Sequence, residues 1–351
     1  MRKYISVRAF HEKFSFLIDR KAFKLIIFFL LFLGLVFLLS AGMGEQIFTP
    51  WKVIQILLGN GNAFEMMIVQ SFRLPRIVIS ILVGISLAVA GAILQSILRN
   101  PLASPDVTGI TGGASVAVVL FLALFSNESN VLTVSIHWMP LASFFGAAIM
   151  GFLLYILAWK NGLSPFRLVL IGIGLWALTK ALTNLFMILG PIHRASQANV
   201  WITGSVYGAN WSNVQILFPI TIVLFLIAVI MTRHLNIQEL GEDIALGVGL
   251  KMEKQRLGLL LLSTALIGSA VAFAGGIGFV GLMAPHIARK LVGSSFGNLL
   301  PLSAIIGGIL VLIADTIGRT LFLPIEVPAG VFTAAVGAPY FIYLLYRNRN
   351  V

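Results

Sequence analysis

The apolar positions of this chain fall in long unbroken runs rather than in alternation. They lie at about 25–43, 77–97, 107–125, 139–158, 166–189, 214–231, 257–274, 278–293, 300–318 and 329–346, each bounded by charge or by Gly, Pro and Asn clusters. A helix needs ~20 apolar residues to cross ~30 Å of hydrocarbon, and runs of this kind, rich in Leu, Ile, Phe and Gly, do not carry the dyad pattern of barrel strands. The pattern predicts an all-α polytopic membrane protein with about ten transmembrane helices. Ahead of the first run stands "MRKYISVRAFHEKFSFLIDRKAFK". Phe10, Phe14 and Leu17 recur there at helical spacing among basic residues, which fits either an interfacial helix or a disordered basic tail. Residues 1–24 are therefore read as a basic, amphipathic N-terminal segment, and 25–351 as a single transmembrane domain. The basic stretch is too long for the n-region of a cleaved leader, so the first run is read as a retained span.

Composition agrees: 59% of the 351 residues are hydrophobic and 10% charged, with a mean hydropathy of +1.00. The net charge of +12 would suggest nucleic acid in a soluble protein. In a polytopic one the positive-inside bias accounts for it, and no nucleic-acid partner is expected. Ten spans put both termini on one side. With that side cytoplasmic, eighteen of the 24 basic residues lie inside and five outside, namely Lys52, Arg73, Arg76, Arg194 and Arg319, while Lys180 falls within the fifth run. The expectation is a multi-pass protein of the cytoplasmic membrane with both termini inside.

Catalytic chemistry is not visible. Cysteine is absent, no G-x-x-x-x-G-K-[S/T] occurs, and the five histidines show no i,i+4 pair, so neither a P-loop nor a metal site is expected. The one clear acid inside a run is Asp315, with Arg319 four residues on and on the same helix face. An ion-coupled carrier usually needs titrating acids at mid-membrane. Energy is then expected from a partner, and the longest inside loop, 233–256, offers a handle: Ile237, Leu240 and Ile244 recur at helical spacing opposite Glu239, Glu242 and Asp243, an amphipathic surface helix. Short repeats of "AVAGAI" (88–93) and "AFAGGI" (272–277) hint at an internal duplication.

Four segments carry a resemblance: "RLPRIVISILVGISLAVAGAILQSILRNPLASPDVTGITGGA" from Arg73, "LGEDIALGVG" from Leu240, "GFVGLMAPHIARKLVG" from Gly278 and "ADTIGRTLFLPIEVPAGVFTAAVGAPYFIYLL" from Ala314. In this order they resemble the permease subunits of ATP-binding-cassette (ABC) importers for iron–siderophore, haem and cobalamin complexes, the FecCD or vitamin-B12-permease type. The resemblance spans nearly everything after residue 65. It implies a prokaryotic type II ABC importer permease fold with helices two to five and seven to ten related by inversion. It also implies a second permease subunit, two ATPase subunits that use the ATP, an external substrate-binding protein, and no cofactor held by this chain. The cargo implied is a metal chelate, a ferric siderophore first and cobalamin or haem as the alternative. A stand-alone secondary carrier is the competing class.

By the same resemblance, Gly241, Glu242, Ala245 and Gly249 belong to a coupling helix seated on the ATPase, with Val248-Gly249 departing mildly from the usual Leu-Gly ending. Arg73, Arg76 and Arg319 match arginines that receive acidic residues of the binding protein. Interfacial anchoring to lipid phosphate is the plainer reading of the same residues. Lys180, in "LWALTKALTNLF", is not explained by the resemblance. A buried ammonium must face water, a partner charge or the pathway, so Lys180 either attracts an anionic substrate or snorkels to the surface.

Overall fold

The computed structural model describes residues 4–9, 14–125, 133–160, 162–189, 192–239, 241, 247 and 252–347. Two short strands, β1 (Tyr4–Ala9) and β2 (Phe14–Asp19), pair antiparallel with Tyr4 opposite Asp19 and Val7 opposite Phe16. The N-terminal segment is thus neither helix nor tail over these residues. Its apolar positions also run at period two, Ile5 and Val7 in one strand and Phe14, Phe16 and Ile18 in the other, and that period prevails over the helical spacing of Phe10, Phe14 and Leu17. The first span, α1 (Arg20–Gly42), starts as soon as Asp19 can cap it, accepting from the amides of Lys21 and Ala22.

Each of the ten apolar runs overlies a helix. After α1 come α2 (Pro50–Leu57) and α3 (Ala63–Met66), then a wide turn over Met67–Arg73 that opens into α4 (Leu74–Ile97). There follow α5 (Ile110–Leu124), α6 (Met139–Ala158), α7 (Pro165–Leu189), α8 (Ile192–Thr203), α9 (Trp211–Ile230) and α10 (Thr232–Glu239). The remaining helices are α11 (Met252–Ala274), α12 (Val280–Val292), α13 (Phe296–Thr320) and α14 (Ala329–Arg347). Among the described residues eight helices are long and apolar enough to cross a membrane. The other two runs correspond to the shorter α5 and α12.

The wide turn before α4 has a local cause. Pro75 has no N–H to offer Ser71, and its ring would clash with the carbonyl of that residue in a regular helix. The chain widens instead, and Leu74 donates to Val69, five residues back.

α4 runs through the centre, with nineteen of its residues buried. It packs against α11, and the neighbours of these two helices correspond: α4 lies on α13 as α11 lies on α6, and α5 lies on α6 as α12 lies on α13. This is the pairing expected of an inverted repeat of helices two to five and seven to ten. The sequence echo does not follow it, however. "AVAGAI" sits inside α4, whereas "AFAGGI" straddles the end of α11, where Gly275 takes φ +65°. Close approach is purchased with glycine: Gly84 meets the Gly307 carbonyl of α13, and Gly91 meets the Gly281 carbonyl of α12.

Candidate functional site

The three arginines singled out from the sequence converge at the end of the bundle where α1 finishes and α4 begins. They arrive on the wide turn, on α4 and on the last turn of α13, and they border one cavity of about 390 Å³ together with Glu326. Their partners differ. Arg73 is buried and donates to the carbonyls of Ala41 at 2.7 Å and Gln46 at 2.6 Å, with its guanidinium 5.2 Å from the Phe48 ring centroid. Arg319, also buried, donates to Met43 O at 2.7 Å, to Ser40 Oγ at 2.9 Å and to the Ser40 carbonyl. Together they satisfy carbonyls left open where α1 ends, a position where positive charge is also favoured by the helix dipole.

Arg76 does other work. Its fork donates to both oxygens of Asp315, from Nε at 3.0 and 3.1 Å and from Nη2 at 2.9 Å, while Nη1 reaches Glu326 at 2.8 Å. Asp315 is 1% exposed. The i,i+4 pairing of Asp315 with Arg319 is present but loose, 3.9 Å from Nε. The main partner of Asp315 therefore comes from a helix 239 positions away.

At the opposite end, α10 leads into the loop proposed for coupling. Gly241 lies just past α10 with φ +119° and donates to Gln238 O at 3.4 Å. Glu242, Ala245 and Gly249 lie outside the described residues. The approach to this loop is anchored to the turn between α12 and α13: Arg289 donates to Glu239 at 2.6 Å and to Ser294 at 3.2 Å, and Asn236 accepts from the Phe296 amide at 2.8 Å.

The third place of interest is inside. Lys180 on α7 lines a cavity of about 290 Å³ with Thr183, Asn184, Asn199 and Asp106. Its ammonium is 5.3 Å from the centroid of the Trp176 ring. Asp106 was missed in the sequence, where it reads as part of a connector. In the structure its carboxylate accepts from the Phe279 amide at 3.1 Å and from Ser104 Oγ at 3.4 Å. Phe279 is the left-handed residue, φ +65°, that starts α12. The acid thus fixes the strained entrance of a helix 173 residues away. An acid set among small residues and prolines between two apolar runs was the available signal. Among the described residues no cluster of His, Cys, Asp or Glu could hold a metal.

The comparisons with known proteins agree with this architecture. The FecCD transport family profile matches residues 30–347. The "Probable siderophore transport system permease protein YfhA" of Bacillus subtilis is 58% identical over 92% of this chain and 95% of its own length. The "Iron(3+)-hydroxamate import system permease protein FhuG" of the same organism is 44% identical over 90% and 95%. Among solved structures, "An inward-facing conformation of a putative metal-chelate type ABC transporter" superposes with a TM-score of 0.80 at 28% identity, covering 93% of this chain and 99% of the other. A packed bundle with internal inversion and near full-length agreement with permeases leave one conclusion: the chain belongs to the FecCD transport family and is a multi-pass transport subunit, not an enzyme.

Proposed function

We propose that this chain is the permease subunit of an ATP-driven importer that moves a ferric siderophore across the cytoplasmic membrane, with both termini inside. The observation that carries this reading is the 58% identity to a siderophore permease over 92% of the chain. A second permease subunit would complete the passage, two ATPase subunits would hydrolyse ATP, and an external binding protein would deliver the chelate. This chain would hold no cofactor of its own.

Coupling falls to Gly241, Glu242, Ala245 and Gly249, with the Arg289–Glu239 pair tying their base to the α12–α13 turn. Docking falls to the outer arginines in unequal shares. Glu326 is 34% exposed on its side chain, so the Arg76–Glu326 pair is the one a docking carboxylate would compete for. Arg73 and Arg319, occupied by the end of α1, would support that surface from beneath.

The test is uptake of labelled ferric siderophores, haem and cobalamin in a strain lacking the gene, with and without its return. Import of a ferric siderophore that also requires the ATPase subunit is expected. Rescue of cobalamin or haem alone would replace the substrate, and transport driven by a proton gradient without any ATPase would refute the mechanism.

A further inference from the structure

Three features of the α7 cavity concern one another. Lys180 is exposed to it, and among the described residues no carboxylate pairs with that ammonium; its recorded neighbour is the Trp176 ring. An unpaired cation within a span is costly and marks a functional position. Thr183, one turn along, is only 6% exposed, yet its Oγ1 has no hydrogen-bond partner. Thr111, from α5, lines the same space with its Oγ1 likewise unpartnered. Buried hydroxyls are normally satisfied; these two lie just beneath the cavity wall, where a turn about χ1 would bring them to an acceptor held beside Lys180. Asn184 and Asn199 add amide donors from α7 and α8.

We propose that this cavity is a subsite for an anionic, oxygen-bearing arm of the transported chelate. Lys180 supplies the charge, and Thr183, Thr111 and the two asparagines supply the hydrogen bonds. At about 290 Å³ the cavity sits at the small end of ligand pockets, so it takes part of a chelate and not the whole. Asp106 borders the same space, but its carboxylate is engaged by the Phe279 amide and Ser104. This inference rests on the importer reading above.

The test uses the assembled transporter in cells and two probes: a ferric catecholate or citrate, which is net anionic, and a ferric trihydroxamate, which is net neutral. Uptake is normalised to the amount of permease in the membrane, with the neutral probe as internal control. Lys180→Ala is expected to lower the uptake efficiency of the anionic chelate roughly tenfold, the loss of one charge-assisted contact, and to leave the neutral one within about twofold. Lys180→Arg restores most of the anionic uptake, and Thr183→Val lowers it in the same direction. Wild type importing neither probe would overturn the ferric-siderophore reading and the subsite together. Wild type importing only the neutral chelate, or equal effects of Lys180→Ala on both, would overturn the subsite alone. If only the anionic probe is imported, a failure of Lys180→Arg to rescue would do the same.

Discussion

Arg76 holds two carboxylates at nearly the same distance, and they should be worth very different amounts. Asp315 lies 2.9 Å from Nη2 with its side chain 2% exposed, and Glu326 lies 2.8 Å from Nη1 with its side chain 34% exposed. Distance alone would rank them equal. The surroundings do not: unit charges ~4 Å apart attract by ~4 kcal/mol at an effective dielectric of ~20 but by ~1 kcal/mol in water. Asp315→Asn removes the charge while keeping the shape, leaving the guanidinium of Arg76 half-served inside the bundle and that of Arg319 without its nearby acid. Breaking a buried pair in this way costs ~3–5 kcal/mol. Glu326→Gln should cost at most ~1 kcal/mol, the range of surface pairs. Reversible unfolding of the purified protein in detergent, followed by helical signal, would give both numbers. The double variant Arg76→Gln with Asp315→Asn should lose less than the two single changes added together, because the Arg76 cation and the Asp315 carboxylate are then removed together and neither strands the other. Equal costs for Asp315→Asn and Glu326→Gln would refute the argument that burial, not contact distance, sets the strength here.

Further outcomes follow from particular contacts. Arg319→Lys replaces a fork that serves Ser40 and Met43 by a single ammonium; a loss of ~1–3 kcal/mol and faster hydrogen exchange of the amides at 43–48 are expected, whereas unchanged exchange would mean that α1 ends without help from Arg319. Gly91→Val drives a side chain into the Gly281 carbonyl, an overpacking against backbone that costs ~3 kcal/mol or more and should sharply reduce folded protein, while Gly174→Val, with open space around it, should be tolerated. Gly241→Ala places a Cβ at φ +119°, where non-glycine residues cost ~1–3 kcal/mol; membrane insertion should survive while uptake falls, and full uptake would separate Gly241 from coupling.

The spans were legible because a bilayer imposes a length and a polarity on each of them. What escaped was whatever depends on a partner distant in the chain. The sequence offers Arg73 and Arg319 only outside partners, a docking carboxylate or lipid phosphate, and gives no sign that their guanidinium groups also meet the carbonyls of Ser40, Ala41, Met43 and Gln46. A helix end carries no acidic residue to advertise that need. Asp106 escaped for the same reason: its partner is the amide of Phe279, and any residue has an amide. α2, by contrast, was readable, since Thr49 caps it and Pro50 occupies its first turn, a start signal overlooked because the run was too short to span.

The two short helices explain why these overlooked polar groups matter. At 1.5 Å per residue, the 15 residues of α5 and the 13 of α12 reach only about 20–22 Å, short of the ~30 Å of hydrocarbon. The balance is made by chain outside the α-helices at 102–109, with its 3-10 turn at Pro105–Thr108, and at 275–279, and such backbone survives at membrane depth only when buried and satisfied by protein. The structure supplies those partners one by one. Gln95 on α4 donates to Ala103 O and Leu282 O, Gly276 donates to Trp201 O, Ser205 donates to Ala274 O, and the amide of Phe279 donates to Asp106. Gln95 and Asp106 are therefore structural counterparts, each bridging one broken segment to the other half of the bundle. The cavity that Lys180 borders opens beside this junction, lined by Asp106 and Gly276 as well as by α7. A bundle of unbroken helices would have buried its backbone without such bridges. Interrupting two helices and closing the gaps with Gln95 and Asp106 places polar chemistry inside the bundle, where a chelate that must leave water would find acceptors and donors to replace it.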